Sequence, residues 1–422
     1  MSRRKPYFER VTSVEKIFIY IKAHKIKDAE HLRMSKSIDA PSNWDTRYLY
    51  KTRVICRRFS GDFLGITIKG EEDNAEWNEV INPFPERLKG RLYSQFHQYF
   101  LSGTAAEYWQ ALWVINMPMP DEPMPGNAGA EPPAPASKRV RSPRTPRQAT
   151  KRRRIAPGFV NSEHMTVDDS PSKKPGLDGD DDGFDKNDST YVSADAHDER
   201  DLPEDATVNL MMAAIKHALT WYGPQKGKGL RDEALHDGAL DKELMLSGSS
   251  VRYTIKGKIP SFSAGVTATP DGEIQAHMPV SGQYTNARDA VVALLEAKKK
   301  FKVMDVPDGK AVIPDNVLAQ VVGEALALRG TNLRIGDTIV VIVAIRHLVC
   351  FLSVQIPAAY CQGPEGGGVR DAGADCITVT STPWLDHNDE GDRKNILHNV
   401  ARIVIWSREK EMEREKVTER EK

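Results

Sequence analysis

Residues 290–295 (AVVALL) form an unbroken apolar run, and Glu296-Ala297-Lys298 closes it with a carboxylate and an amine. Read with its flanks, DAVVALLEAKKKF (289–301) has Val, Leu and Ala throughout and no Pro or Gly, the pattern of a strand buried on both faces. Residues two apart on a strand share a face, so Glu296 and Lys298 point the same way, roughly 6–7 Å apart along it. An unpaired charge buried there costs several kcal/mol. The pair therefore serves as a mutual ion pair or holds something charged. The same letters have an alternative reading as a helix, because Ala, Leu, Glu and Lys all favour one.

The 422 residues suffice for two or three domains, and 59 acids balance 59 bases. The charges are unevenly placed. Residues 138–154 hold nine Lys or Arg and no acid; residues 168–205 hold fourteen Asp or Glu against four Lys or Arg. Such blocks belong to a tail or linker, not a core. The four cysteines, Cys56, Cys350, Cys361 and Cys376, form no CxxC pair and read as reduced thiols. There is no apolar run of membrane-spanning length and no leader-like start, so a soluble intracellular protein is expected.

Three regions follow. Residues 1–116 read as a small α+β domain of unknown role, with helices at 14–24 and 86–101 and strands at 53–59 and 63–69. Segments 14–24 and 28–35 have helix-turn-helix spacing, although an ordinary packing unit suits them better. Residues 117–205 read as a disordered linker, rich in Pro, Ala, Gly and charge and poor in aliphatic side chains. Two basic clusters, Lys138-Arg139 with Arg141 and Lys151-Arg152-Arg153-Arg154, have the layout of a two-part nuclear-import signal; the alternative is a nonspecific phosphate-binding tail. This predicts an import receptor as a partner and a nuclear location. Residues 206–406 read as helix 206–222, strands at 250–258, 264–269 and 289–301, helix 314–329, a hairpin 338–356 around Arg346-His347, strand 376–381 and helix 393–406. Residues 407–422, with six acids and six bases, read as a solvated helical tail.

That order, with LLEAKK (294–299) ending the third strand and AQVVGEAL (319–326) on the next helix, resembles the PD-(D/E)XK, or restriction-endonuclease-like, nuclease superfamily, and most closely its fungal members. The resemblance covers residues 206–406. It implies an α/β core of mixed sheet flanked by helices, and metal-dependent hydrolysis of nucleic acid, DNA foremost, with Mg²⁺ or Mn²⁺ as cofactor. It implies Glu296 as metal ligand, Ala297 as ligand through its backbone carbonyl, Lys298 as the residue that orients or deprotonates the attacking water, and Gln320 beside the metal. A desolvated Lys298 near a cation is expected to have a lowered pKa. Hard oxygen ligands suit Mg²⁺, and a phosphodiester demands neutralisation of growing charge.

The second carboxylate has two candidates. Asp271 lies in Thr269-Pro270-Asp271-Gly272, which also reads as a plain tight turn; Asp289 opens the strand that carries Glu296 itself. Asp271 is preferred, because seven residues leave Asp289 little room to return to the site. The first helix's acid falls on Glu233 or Glu243, and Glu324 shares a helix face with Gln320. Lys299, Lys300 and Lys302 add positive charge beside the site. Residues 385–390 (LDHNDE) read as a turn and helix cap in preference to a metal loop, and 363–368 (GPEGGG) lacks the Lys-Ser/Thr of a P-loop. A non-catalytic nuclear binding module on the same fold is the competing function.

Overall fold

The computed structural model describes residues 6–23, 40–68, 75–82, 100, 102–116, 204–222, 245–249, 255–257, 266–280, 283–285, 291–298, 313–331, 336–362 and 376–421. The chain divides into two compact units, one made of Met1–Pro118 with Thr190–Lys422, the other of Met119–Ser189. The second unit lies outside the described residues, as do both basic clusters.

The first unit is mixed α/β. Its N-terminal part supplies α1 (Tyr7–Arg10), α2 (Val14–Ala23), α3 (Thr46–Lys51), β1 (Val54–Arg58), α4 (Ala75–Ile81) and α5 (Gly103–Asn116). After the insert come α6 (Glu204–Tyr222), β2 (Met245–Ser249), β3 (Ile255–Gly257), β4 (Val266–Ala268), β5 (Gly272–Val280), β6 (Gln283–Thr285), β7 (Val291–Lys298) and α7 (Asp315–Thr331). Then follow β8 (Thr338–Ile345), β9 (Leu348–Gln355), α8 (Ala358–Gln362), β10 (Ile377–Ser381), β11 (Leu385–Asp386) and α9 (Glu390–Glu421).

The main sheet runs β1-β10-β9-β8-β7-β5-β2, with β6 branching from β5 and β11 from β9; β3 and β4 pair separately. β7 and β8 are parallel, joined through α7, and β7 meets β5 antiparallel. The continuous apolar reading of 290–295 is explained by layers on both sides. On one face Leu294 and the α7 residues Leu318, Val321, Val322 and Ala325 share a core with Ile17, Leu49 and Tyr50 of the N-terminal elements. On the other, Ala293, Leu295 and Ala297 pack with residues of α4, α5, α6 and α9. A bulge sets these faces: Ile274 pairs with Ala293 and Gln275 with Val291, leaving Val292 extra.

Several expectations change. Residues 1–116 do not stand apart: β1 pairs in parallel with β10 and forms an edge of the common sheet. Residues 63–68 form no strand, and Lys69 lies outside the described residues. Phe63–Gly65 is a 3-10 turn with Leu64 at φ 58° and Gly65 at φ 72°, a backbone that ends any pleat. Asp315, in the first turn of α7, holds the N-terminal segment, accepting from the Tyr7 N–H at 2.7 Å and the Thr46 hydroxyl at 3.0 Å. Among the described residues six strands, not three, separate α6 from α7, β5 being one that the sequence reading does not contain. The α7 helix carries no simple apolar stripe, for Val317 through Arg329 are all buried except Gln320, which is half-buried. The charged tail forms one continuous helix with the core part of α9. Segments 28–35 and 86–99 lie outside the described residues.

Candidate active site at the end of the β5–β7 ladder

β7 delivers Glu296 and Lys298 on the face that meets α7. Glu296 is 1% exposed and forms an ion pair with Lys298, whose side chain is a quarter exposed. From α7, the Gln320 amide donates to Glu296 Oε1 at 2.6 Å and to Glu324 Oε1 at 3.0 Å. Their four-residue spacing is one helical turn, so both face the same spot. On the same helix Gly323 lies against Pro41 and Trp44; a Cβ there would stand 2.6 Å from Pro41 Cβ.

β5 delivers the second carboxylate. Asp271 precedes the first paired residue, Gly272, which faces Leu295. Its N–H donates to the Leu295 carbonyl at 3.0 Å, and its Oδ2 accepts the Ala297 N–H at 2.9 Å. Asp271 thus brackets Glu296 from both sides along the strand, 6% exposed itself. The tight turn expected there does not form: Asp271 is a bend whose N–H already continues the ladder, and Gly272 begins β5. Sequence reasoning missed Glu273. It lies opposite Leu294, hence on the α7 face, and is 1% exposed. The alternation Ile274, Ala276, Met278, Val280 was the available signal for its strand. Asp289, Glu233, Glu243 and Lys299, Lys300 and Lys302 lie outside the described residues.

Asp271, Glu296 and Glu324 thus gather near Lys298, and the ionisation of Glu296, Glu324 and Lys298 reflects it. Burial pushes the Glu296 carboxyl up to about 7; Lys298 opposes the rise and Asp271 adds to it. Glu324 rises well above the usual carboxylate range, through burial first and the Glu296 charge second. Lys298 departs from expectation. Burial lowers its pKa, but Glu296, Glu204 and Asp271 more than offset this, so the net shift is upward. Lys298 is a firmly held cation in this state, not a base.

The donor set suits a hard divalent cation in one respect. Glu296 Oε2 and Glu324 Oε2 are buried and receive no N–H or hydroxyl bond, and the two carboxyls hydrogen-bond each other, so a cation there would take the place of the proton that burial keeps on Glu324. In another respect it is sparse: among the described residues no three His, Cys, Asp or Glu side chains are grouped to hold a metal on their own. A magnesium ion keeping several waters needs fewer protein ligands.

The 385–390 loop is a turn and cap. Asp386 Oδ1 accepts the Asn388 N–H, Asp389 Oδ1 accepts the Asp392 N–H at the start of α9, and His387 is buried and neutral against the Tyr108 hydroxyl. No described helix is long and apolar enough to cross a membrane. No protein-family model, curated protein or solved structure matches the chain.

Proposed function

We propose that the chain is a divalent-metal-dependent nuclease of the PD-(D/E)XK type, hydrolysing phosphodiester bonds of nucleic acid, DNA foremost, in the nucleus. The observation that carries this reading is the convergence of Asp271, Glu296 and Lys298 at one ladder end, with Gln320 of α7 bonded to Glu296. The order α6, β2-β5-β7 antiparallel, α7, then parallel β8 supports a restriction-endonuclease-like core.

Glu296, Asp271 and the Ala297 carbonyl would hold Mg²⁺ or Mn²⁺, which when bound supplies Lewis-acid polarisation of a phosphate oxygen and a more acidic water. The protein's own groups do the rest. Lys298, kept protonated, places positive charge where the phosphate gains negative charge and donates hydrogen bonds that orient the attacking water. Gln320 fixes the Glu296 rotamer, so the carboxylate presents Oε2 to the site. Asp271, anchored on the Ala297 amide, keeps that carboxylate within reach of Glu296. The layers of α6 and α7 exclude water from Asp271, Glu296 and Glu324 and strengthen each charge interaction.

Cleavage of plasmid DNA with Mg²⁺ or Mn²⁺ is the test. Wild-type protein nicks or linearises the plasmid, and Glu296→Ala and Lys298→Ala lose at least about a hundredfold in rate. Equal rates in wild type and Glu296→Ala defeat the proposal. A second reading, a nucleic-acid or protein-binding module on the same fold, draws on the closed Glu296–Lys298 ion pair and the sparse donor set. It predicts binding that is indifferent to divalent cations.

A further inference from the structure

We propose that Glu324 of α7 is a further carboxylate ligand of the divalent ion that Glu296 holds. The inference rests on the nuclease reading and deepens its metal site: the helix, as well as the two strands, supplies an oxygen to the ion.

Spacing comes first. The Gln320 amide donates to Glu296 Oε1 at 2.6 Å and to Glu324 Oε1 at 3.0 Å, so one nitrogen tethers both carboxyls. The two carboxyls also hydrogen-bond each other. Oxygens in such a bond are about 2.5–3.0 Å apart. Adjacent ligands of an octahedral magnesium ion, with bonds of about 2.0–2.1 Å, are about 2.9 Å apart. Glu296 and Glu324 therefore already stand at the separation that two ligands of one ion adopt.

The setting of Glu324 is the second observation. It is 1% exposed, and its helix neighbours Val321, Val322, Ala325 and Leu326 are apolar and buried. A carboxyl placed there costs stability unless something charged answers it. The Lys298 ammonium is paired with Glu296 Oε1, and that same oxygen also accepts from Gln320. The Oε2 atoms of both glutamates receive no N–H or hydroxyl bond. What holds the two carboxyls together is a shared proton, and a cation is its chemical replacement.

Charge is the third. Asp271, Glu296 and Glu324, all buried, gather beside the ammonium of Lys298. Fully ionised, these groups leave an excess of two negative charges, which one Mg²⁺ or Mn²⁺ cancels. With Asp271 and Glu296 alone the excess is one, and a divalent ion stays overcharged. Glu204, half-buried at the start of α6, adds to the field on Lys298 from outside this buried group. Asp271 flanks Glu296 along the ladder and Glu324 flanks it from α7. Among the described residues no three acids are grouped closely enough to hold an ion by themselves, so waters complete its shell.

Mn²⁺ alone is the probe, titrated into the full chain at one fixed pH. Electron paramagnetic resonance reads the free ion, and water-proton relaxation reads the waters on the bound ion. The decisive variant is Glu324→Gln, which keeps an oxygen for the Gln320 amide and offers an N–H to Glu296. Its melting temperature in EDTA should match or exceed wild type, while Mn²⁺ affinity weakens at least about tenfold. A residue that only orients Gln320 and Glu296 would be replaced by Gln without loss, so wild-type affinity in Glu324→Gln overturns the proposal. Glu324→Ala leaves room for a water, and its bound Mn²⁺ should carry about one more than wild type. An unchanged water count overturns direct ligation; if Glu324→Ala does not fold, Glu324→Gln decides alone. Glu107→Gln, an exposed acid of α5 paired with Lys216, keeps wild-type affinity. A wild type that binds no Mn²⁺ also overturns the proposal. The two readings part cleanly: a protein that binds Mn²⁺ through Glu324 and never cuts loses the nuclease reading and keeps the ligand, and a cutting protein whose Mn²⁺ affinity is indifferent to Glu324 does the reverse.

Discussion

Asp271 accepts the backbone N–H of Ala297 through Oδ2 at 2.9 Å, one strand across and 26 residues away. The bond makes one carboxylate both a structural peg and a candidate ligand, and the two roles separate by substitution. Asp271→Ala strands a buried N–H, at a cost of about 1–3 kcal/mol. Asp271→Asn keeps an oxygen for that N–H and removes the charge. Thermal denaturation therefore shows a clear loss for Asp271→Ala and little for Asp271→Asn. Calorimetric titration with Mn²⁺ shows binding lost in both.

Glu296 gives a pH signature. Its folded pKa, about 7, lies above the ordinary 4.5, so the folded state holds a proton that the unfolded state releases. The stability from that proton is complete below the unfolded value and disappears as pH rises through about 7. In EDTA the melting temperature should fall between about pH 5 and pH 8. Glu296→Gln should flatten the fall and melt higher than wild type at pH 8. Because cations bind the ionised form, Mn²⁺ should raise the wild-type melting temperature more at pH 8 than at pH 6. A profile identical in wild type and Glu296→Gln would remove this carboxyl as the titrating group.

Gly323 tests the approach of α7. In an exposed helix, Gly→Ala stabilises by about 1 kcal/mol. Here the new methyl meets Pro41 Cβ at 2.6 Å and Cγ at 2.8 Å, both on a rigid ring. Gly323→Ala should instead destabilise by about 1–3 kcal/mol, read from denaturant midpoints. It should also lower cleavage more than stability alone explains, because Gln320 and Glu324 lie on the displaced turn. A wild-type rate and midpoint would show that the helix has slack.

Arg393 is the corresponding test of the other layer. Its guanidinium, 4% exposed, donates to the carbonyls of Val80, Ile81, Asn82, His387 and Asn388 and lies 5.1 Å from the Trp109 ring centre. Loss of the fork leaves several buried carbonyls bare, so Arg393→Ala should cost about 3–5 kcal/mol. Arg393→Lys should recover little, since one ammonium cannot span that fan of acceptors. Chemical denaturation of both variants checks this.

The site was legible where chemistry and local pattern coincide. The apolar run before Glu296 favours a two-faced strand over the helix its composition also allows, and Gln320 lies on the helix that begins at Asp315. β5 is hidden because Thr-Pro-Asp-Gly has the composition of a turn, while the backbone is already extended from Gly272 onward. Glu273 went with it. The membership of β1 left no local trace, since Val54 meets Ile377 across 323 residues and parallel neighbours need no shared turn. Phe63, Leu64, Ile66 and Ile68 look like strand material, and only the left-handed Leu64 and Gly65 show otherwise. The upward shift of Lys298 depends on Glu204 and Asp271, which no spacing rule connects to it.

The edge strand β1 has a consequence for how the molecule tolerates damage. Since that strand and the Tyr7–Asp315 bond tie residues before the insert into the same sheet as residues after it, the insert interrupts a single cooperative body. A protease that severs the chain between 119 and 189 should leave two fragments clasped together without a covalent link, eluting as one particle and melting as one.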